Sequence, residues 1–155
     1  MRHALIAGVA ALALCSSAAS AREIPKGGLT VDQVVSWLQS AGYKAEVQKN
    51  SDGEANVYSA AEGTGFHIFL YDCKKSFCGS IQFSVGFDTK GSFNTTQLNT
   101  WNRKNRWVRA FLDDSNDPWL EYDVDLTPGG TYEILDDEFT IWRGQLKKFA
   151  EMVNG

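Results

Sequence analysis

Three groups of side chains in this 155-residue chain have types and spacing that could do chemistry: Cys73 with Cys78, His67, and the alternating carboxylates Glu121, Asp123 and Asp125. The cysteines flank Lys-Lys-Ser-Phe, a C-x-x-x-x-C spacing. A redox-active pair usually shows C-x-x-C, and a zinc site needs two further ligands that this neighbourhood does not offer. The spacing suits a disulfide closing the tip of a hairpin, which would stabilise the fold by about 2 kcal/mol. His67 lies between Phe66 and Ile68, so it faces the other side of any strand whose apolar set points inward. No serine or cysteine nucleophile is placed beside it.

Glu121, Asp123 and Asp125 alternate with Leu120, Tyr122, Val124 and Leu126, which puts three carboxylates on one strand face. They could form a cation site or a general acid/base pair. The simpler reading is a solvated face balanced by a neighbouring strand. If Phe111 lies opposite Trp119, then Arg109 lies opposite Glu121 and Trp107 opposite Asp123, so ion pairing across strands accounts for Arg109. Asp113, Ser115 and Asp117 resemble the start of a calcium loop. The sixth position is Pro118 where such a loop needs Gly, and the twelfth is Val124 where it needs Glu. The triplet Asn94-Thr95-Thr96 is a formal glycosylation sequon to which no weight attaches. No catalytic residue, metal site or cofactor is assigned.

The elements that must position these groups follow from periodicity. Thr30 with Gln33 forms a capping box, and Val31, Val34, Val35 and Leu38 line one face of a helix that stops at Gly42. Residues 43–49 and 54–60 read as strands around Asn50-Ser51-Asp52-Gly53, followed by strands over 65–72 and 80–87. A second helix spans 95–105, capped by Thr95 or Thr96. Strands at 107–112 and 119–126 come next, and a long helix carries the stripe Leu135, Phe139, Trp142, Leu146, Phe149 and Val153. The order is α-β-β-β-β-α-β-β-α, an α+β domain with helices on one face of an antiparallel sheet. The chain is one domain over 29–153, behind a flexible lead-in at 22–28.

The first 21 residues read as a cleaved secretory signal: Met1-Arg2-His3, an apolar run over 4–14, then Ala19-Ser20-Ala21 before Arg22. A lipoprotein signal is a poorer match, because the bulky Leu14 precedes Cys15 where a small residue is wanted. Cleavage between Ala21 and Arg22 removes one cation, one histidine and one cysteine. That leaves 134 residues with a net charge of −5 and an even pair of cysteines. The mature protein would lie in the periplasm or be secreted, where thiols oxidise. Its acidic balance argues against nucleic acid as partner, and no later stretch is long and apolar enough for a membrane span.

His67, Phe69, Tyr71, Trp107, Phe111 and Trp119 share the parity that points away from the core. They are expected to form an aromatic outer face that is either an interface or covered by a terminal segment or a neighbouring strand. Asn99, Trp101 and Asn102 make a second candidate surface on the middle helix. Trp101 reads as core because Leu98 precedes it by three, and Asn102 could cap or brace the following strand.

Leu98-Asn99-Thr100-Trp101-Asn102-Arg103, Arg106 to Ala110, Asp117 to Glu121 with Asp123, and the C-terminal Trp142, Leu146 and Phe149 together resemble the YbjN family. The likeness runs over residues 29 to 153. It implies a fold similar to type III secretion chaperones and a role among bacterial "putative sensory transduction regulators", with no catalytic residues to carry over. An exported chain would meet neither cytoplasmic secretion substrates nor DNA. The expectation is therefore an exported binding module without enzymatic activity, recognising a protein partner or a second copy of itself, with Phe69, Tyr71, Trp107, Phe111, Trp119, Asn99 and Asn102 as candidate contacts. An enzyme using His67 or the carboxylate row, recognised by a polar cleft, is the main alternative. A lipid-binding envelope factor, recognised by a deep apolar groove between helices and sheet, is another.

Overall fold

The computed structural model describes residues 21–155, so of the expected signal segment all but Ala21 lies outside the described residues. Helix α1 (Val31–Ser40) starts on the expected capping box, in which Thr30 Oγ1 accepts from the Gln33 N–H and Gln33 Oε1 accepts from the Thr30 N–H. Helix α2 (Thr95–Lys104) is capped one residue earlier than expected. Asn94, rather than a threonine, exchanges the same pair of bonds with Gln97. Helix α3 (Tyr132–Asn154) is capped by Thr131 and begins ahead of its apolar stripe.

The strands are β1 (Glu23–Ile24), β2 (Ala45–Lys49), β3 (Ala55–Ala61), β4 (Thr64–Lys74), β5 (Phe77–Gly86), β6 (Arg109–Leu112), β7 (Pro118–Asp125) and β8 (Gly130–Thr131). Six of them form an antiparallel sheet in the order β2-β3-β4-β5-β7-β6. The domain is α+β, and the helices bury their apolar faces against one side of that sheet. Phe66 and Phe83 from the strands meet Phe139 and Trp142 from α3 with ring centroids 5.5–6.1 Å apart. Trp37 of α1 contacts Phe139 at 5.4 Å and donates its indole N–H to Asp136 Oδ1 at 2.7 Å. Trp101 of α2 meets Phe149 at 5.0 Å and is buried, as its spacing from Leu98 suggested. These aromatics pack the layer between helices and sheet.

Two local expectations need correction. The lead-in at 22–28 is tied down rather than loose. Glu23 and Ile24 pair with Thr131 and Gly130, Ile24 is buried, and the Arg22 carbonyl accepts from the Tyr132 N–H. Two-residue strands are too short to leave a period in sequence, which is why this pairing is invisible there. The strand expected from Trp107 begins instead at Arg109, so Trp107 never pairs with Asp123. Trp107 takes a φ of +79°, which L residues avoid, and that conformation ends the ladder ahead of β6.

At the β4–β5 tip a two-residue loop, Lys75-Ser76, brings Cys73 directly opposite Cys78, with the Sγ atoms 2.12 Å apart, at disulfide distance. Cys78 also exchanges two main-chain bonds with Leu29, at 2.8 and 3.1 Å. The approach requires Gly28, because a Cβ there would fall 1.8 Å from the Cys78 carbonyl oxygen.

Candidate functional site

Among the described residues no helix covers the outer face of the sheet. Register places Glu46, Tyr58, His67, Ser84, Glu121 and Arg109 in one row across all six strands. The pairs Phe111 with Trp119 and Arg109 with Glu121 stand directly opposite each other. Arg109 donates to Glu121 Oε2 from Nε at 2.8 Å and from a second guanidinium nitrogen, and the hydroxyl of Ser84 donates to Oε1 at 3.4 Å. Asp123 accepts from the Gln82 side chain at 2.7 Å, while Asp125 accepts from the main chain and hydroxyl of Thr127. The three carboxylates therefore serve three separate partners and do not converge on one point. No group of three or more metal-ligating side chains gathers among the described residues.

His67 is half-buried, and desolvation pulls its pKa below the ordinary imidazole value. The ring is neutral at pH 7 and, as the Nδ1–H tautomer, donates to Asn56 Oδ1 at 2.9 Å. It stacks on Phe69 with centroids 5.9 Å apart and tilts against Tyr58 at 5.3 Å. No hydroxyl or thiol nucleophile bonds to it. The acidic loop before β7 is likewise turned inward: Asp113 Oδ1 accepts from the Ser115 and Asp117 N–H groups, and Asp117 Oδ1 from Thr89 and Gly91. Main-chain donors hold both carboxyls below the usual range, Asp117 N–H chiefly for Asp113 and Thr89 N–H chiefly for Asp117.

The expected continuous aromatic face is in fact two clusters. Tyr58, His67, Phe69 and Tyr71 lie on β3 and β4; Phe111 and Trp119 stack at 6.5 Å on β6 and β7. Between them runs the hydrogen-bonded strip of Gln82, Ser84, Glu121 and Asp123. Tyr71 and Phe111 are exposed, and Phe69 and Trp119 are half-buried. Trp119 lies flat on Gly86, where a Cβ would meet its ring at 2.5 Å, so it is part of the sheet's structure as well as its surface. Trp107 sits beside the sheet rather than on it; it is 58% exposed, with the Arg106 guanidinium 4.8 Å over its ring.

On the second candidate surface Trp101 is core and Asn102 has a structural bond. Asn102 uses both ends of its amide on the Ala110 main chain, donating to O and accepting from N at 2.9 Å each, so it braces β6. Asn99 and Asn102 are both exposed on α2.

Sequence reasoning missed a notch of about 700 Å³ where the β2–β3 and β4–β5 hairpin tips splay apart. The strands read from sequence at 54–60 and 65–72 gave no sign of it, because it arises from 7 residues in β3 against 11 in β4.

No helix among the described residues is long and apolar enough to cross a membrane. The model of the YbjN family, "Putative bacterial sensory transduction regulator", matches residues 30–154. Among solved structures the chain is similar to the crystal structure of YbjN, "a putative transcription regulator from E. coli". Identity is 19% and the TM-score 0.52, over 80% of this chain and 93% of that one, a likeness of fold. A search of curated proteins finds no match.

Proposed function

The chain belongs to the YbjN family, and from that premise we propose that it is an exported recognition module without enzymatic activity, working in the periplasm or outside the cell. It acts by binding a protein partner or a second copy of itself through the outer face of its sheet, and any regulatory role passes through that contact. The observation that carries this reading is the bare outer face itself. Its polar groups satisfy one another, so none is left aimed at a reacting atom, while Tyr71 and Phe111 remain exposed. Aromatic side chains flanking a satisfied polar strip suit protein recognition, where exposed rings supply the anchors. Export is supported by the signal-like first 21 residues and by two cysteines placed to close a loop in an oxidising space.

The test is association measured by sedimentation and by capture from the envelope fraction. Tyr71→Ala combined with Phe111→Ala should abolish the dimer or the captured partner while leaving the melting curve near wild type. Unchanged association in a folded double variant would retire the face. Mass spectrometry of the native protein should give a chain starting at Arg22 and two hydrogens lighter than its reduced form; a retained leader or two free thiols would overturn the export reading.

A further inference from the structure

The sheet is incomplete along one stretch. The β3–β4 ladder stops at Val57 opposite Ile68, so beyond it β4 pairs, among the described residues, with β5 alone, at Phe69 to Tyr71 and again at Cys73 and Lys74, with Asp72 at a φ of +55° between them. The free edge is extended over Phe69 to Tyr71, about 10 Å, before the backbone turns at Asp72. An uncovered edge offers its main-chain N–H and C=O groups as a template for another strand. Here the edge opens into the notch of about 700 Å³ between the hairpin tips, with the first turn of α1 as its floor.

The lining has a definite chemistry. Leu70 and Val31 supply apolar surface, Phe69 and Tyr71 supply rings, and the charged groups of the lining are Asp32, Glu54 and Asp72 against Lys75, with Lys74 at the end of the same edge. Asp32, Glu54 and Asp72 form no salt bridge among the described residues. The same negative field reaches the outer face. The Tyr71 phenol is pushed up first by burial and then by Glu121, Asp123 and Glu54, with only Arg109 acting against them.

We propose that this notch docks an extended, basic segment of a protein partner, which adds as a strand to the free edge of β4 between Phe69 and Lys74. Main-chain bonds to the edge would give affinity, and side-chain alternation would give specificity. One set of side chains on the incoming strand meets Leu70 and Val31. The alternate set reaches Phe69 and Tyr71, where a guanidinium gains both the ring faces and the surrounding carboxylates. The inference rests on the reading of this chain as a protein-recognition module and names the kind of partner.

The probe is a capped hexapeptide alternating Arg with Val, compared with the same peptide carrying Glu for Arg, each added to the 15N-labelled chain 22–155. The basic peptide should shift the amide signals of residues 69–74 and slow their hydrogen exchange about tenfold or more. Raising the salt should weaken the effect, Asp32→Asn with Glu54→Gln should weaken it further, and the acidic peptide should give none. Equal responses to both peptides, or no response at residues 69–74, would overturn the proposal. Shifts confined to Phe111 and Trp119 would overturn it too, while leaving recognition by the outer face standing. The wild-type comparison decides the matter even where the double variant fails to fold.

Discussion

The main-chain nitrogen of Arg22 lies 3.3 Å from Glu133 Oε1, joining the residue after the expected cleavage point to the first turn of α3. The Arg22 guanidinium also sits 3.8 Å over the Tyr132 ring, and its carbonyl accepts from the Tyr132 N–H. Cleavage after Ala21, as proposed, would turn that nitrogen into an ammonium facing a carboxylate. Glu133 is already held below its ordinary range, by its own main-chain N–H first, then by the Thr131 hydroxyl and the Arg22 N–H.

The freed α-amino group should therefore titrate above its ordinary range of about 7.7–8.0. A raised folded pKa gives stability that is complete below about pH 7.7 and lost as pH rises through the folded value. NMR titration of the amino terminus checks this. Glu133→Gln should return the value to the ordinary range, and an unshifted wild-type value would remove the ion pair from the account.

Reducing the Cys73–Cys78 pair, or replacing both by Ser, should cost about 2 kcal/mol, the entropy of reopening a short loop in the unfolded chain. Urea melts with and without reductant measure it. The fold should survive, because the same two strands stay paired from His67–Ser84 to Tyr71–Ser80.

Arg109→Ala leaves Glu121, 9% exposed, without its cation partner. The guanidinium is itself largely exposed, which limits the loss to about 1 kcal/mol. Glu121→Gln in the same chain should recover most of it, and a double-mutant cycle reads the coupling directly.

Trp142→Ala should be far costlier, about 3–5 kcal/mol, because this fully buried ring contacts both Phe66 and Phe83. Thermal melting should show a large drop with no change in what the outer face binds.

Asp117 anchors Thr89 and Gly91 through three bonds, and its lowered pKa means that the folded form prefers the carboxylate. The stabilisation is present above about pH 3.9 and fades as pH falls through the lower folded value. Asp117→Ala should therefore lower the melting temperature at pH 7 and change it little near pH 2.

Much of this protein was legible in its residues because local periodicity acts locally. The capping box at Thr30, the stripe on α3 and the alternation in β5 and β7 each name an element, and period two, once Phe111 was set opposite Trp119, put Arg109 opposite Glu121. Other features depend on contacts distant in sequence. The pairing of Ile24 with Gly130, the brace of Asn102 on Ala110 and the flat seat of Trp119 on Gly86 leave no local pattern. The parity that gathered six side chains into one outer face was right about direction for those within strands. It could not place Trp107 beyond the end of a ladder, nor say that Gln82 and Ser84 would divide the rings into two clusters. By itself the sequence determined which side of the strands at 65–72, 80–87, 107–112 and 119–126 faces the core, because alternation follows from the backbone. Only the tertiary structure decided where β3 and β4 part company and leave an edge free, because strand ends depend on what each neighbour finds to pair with.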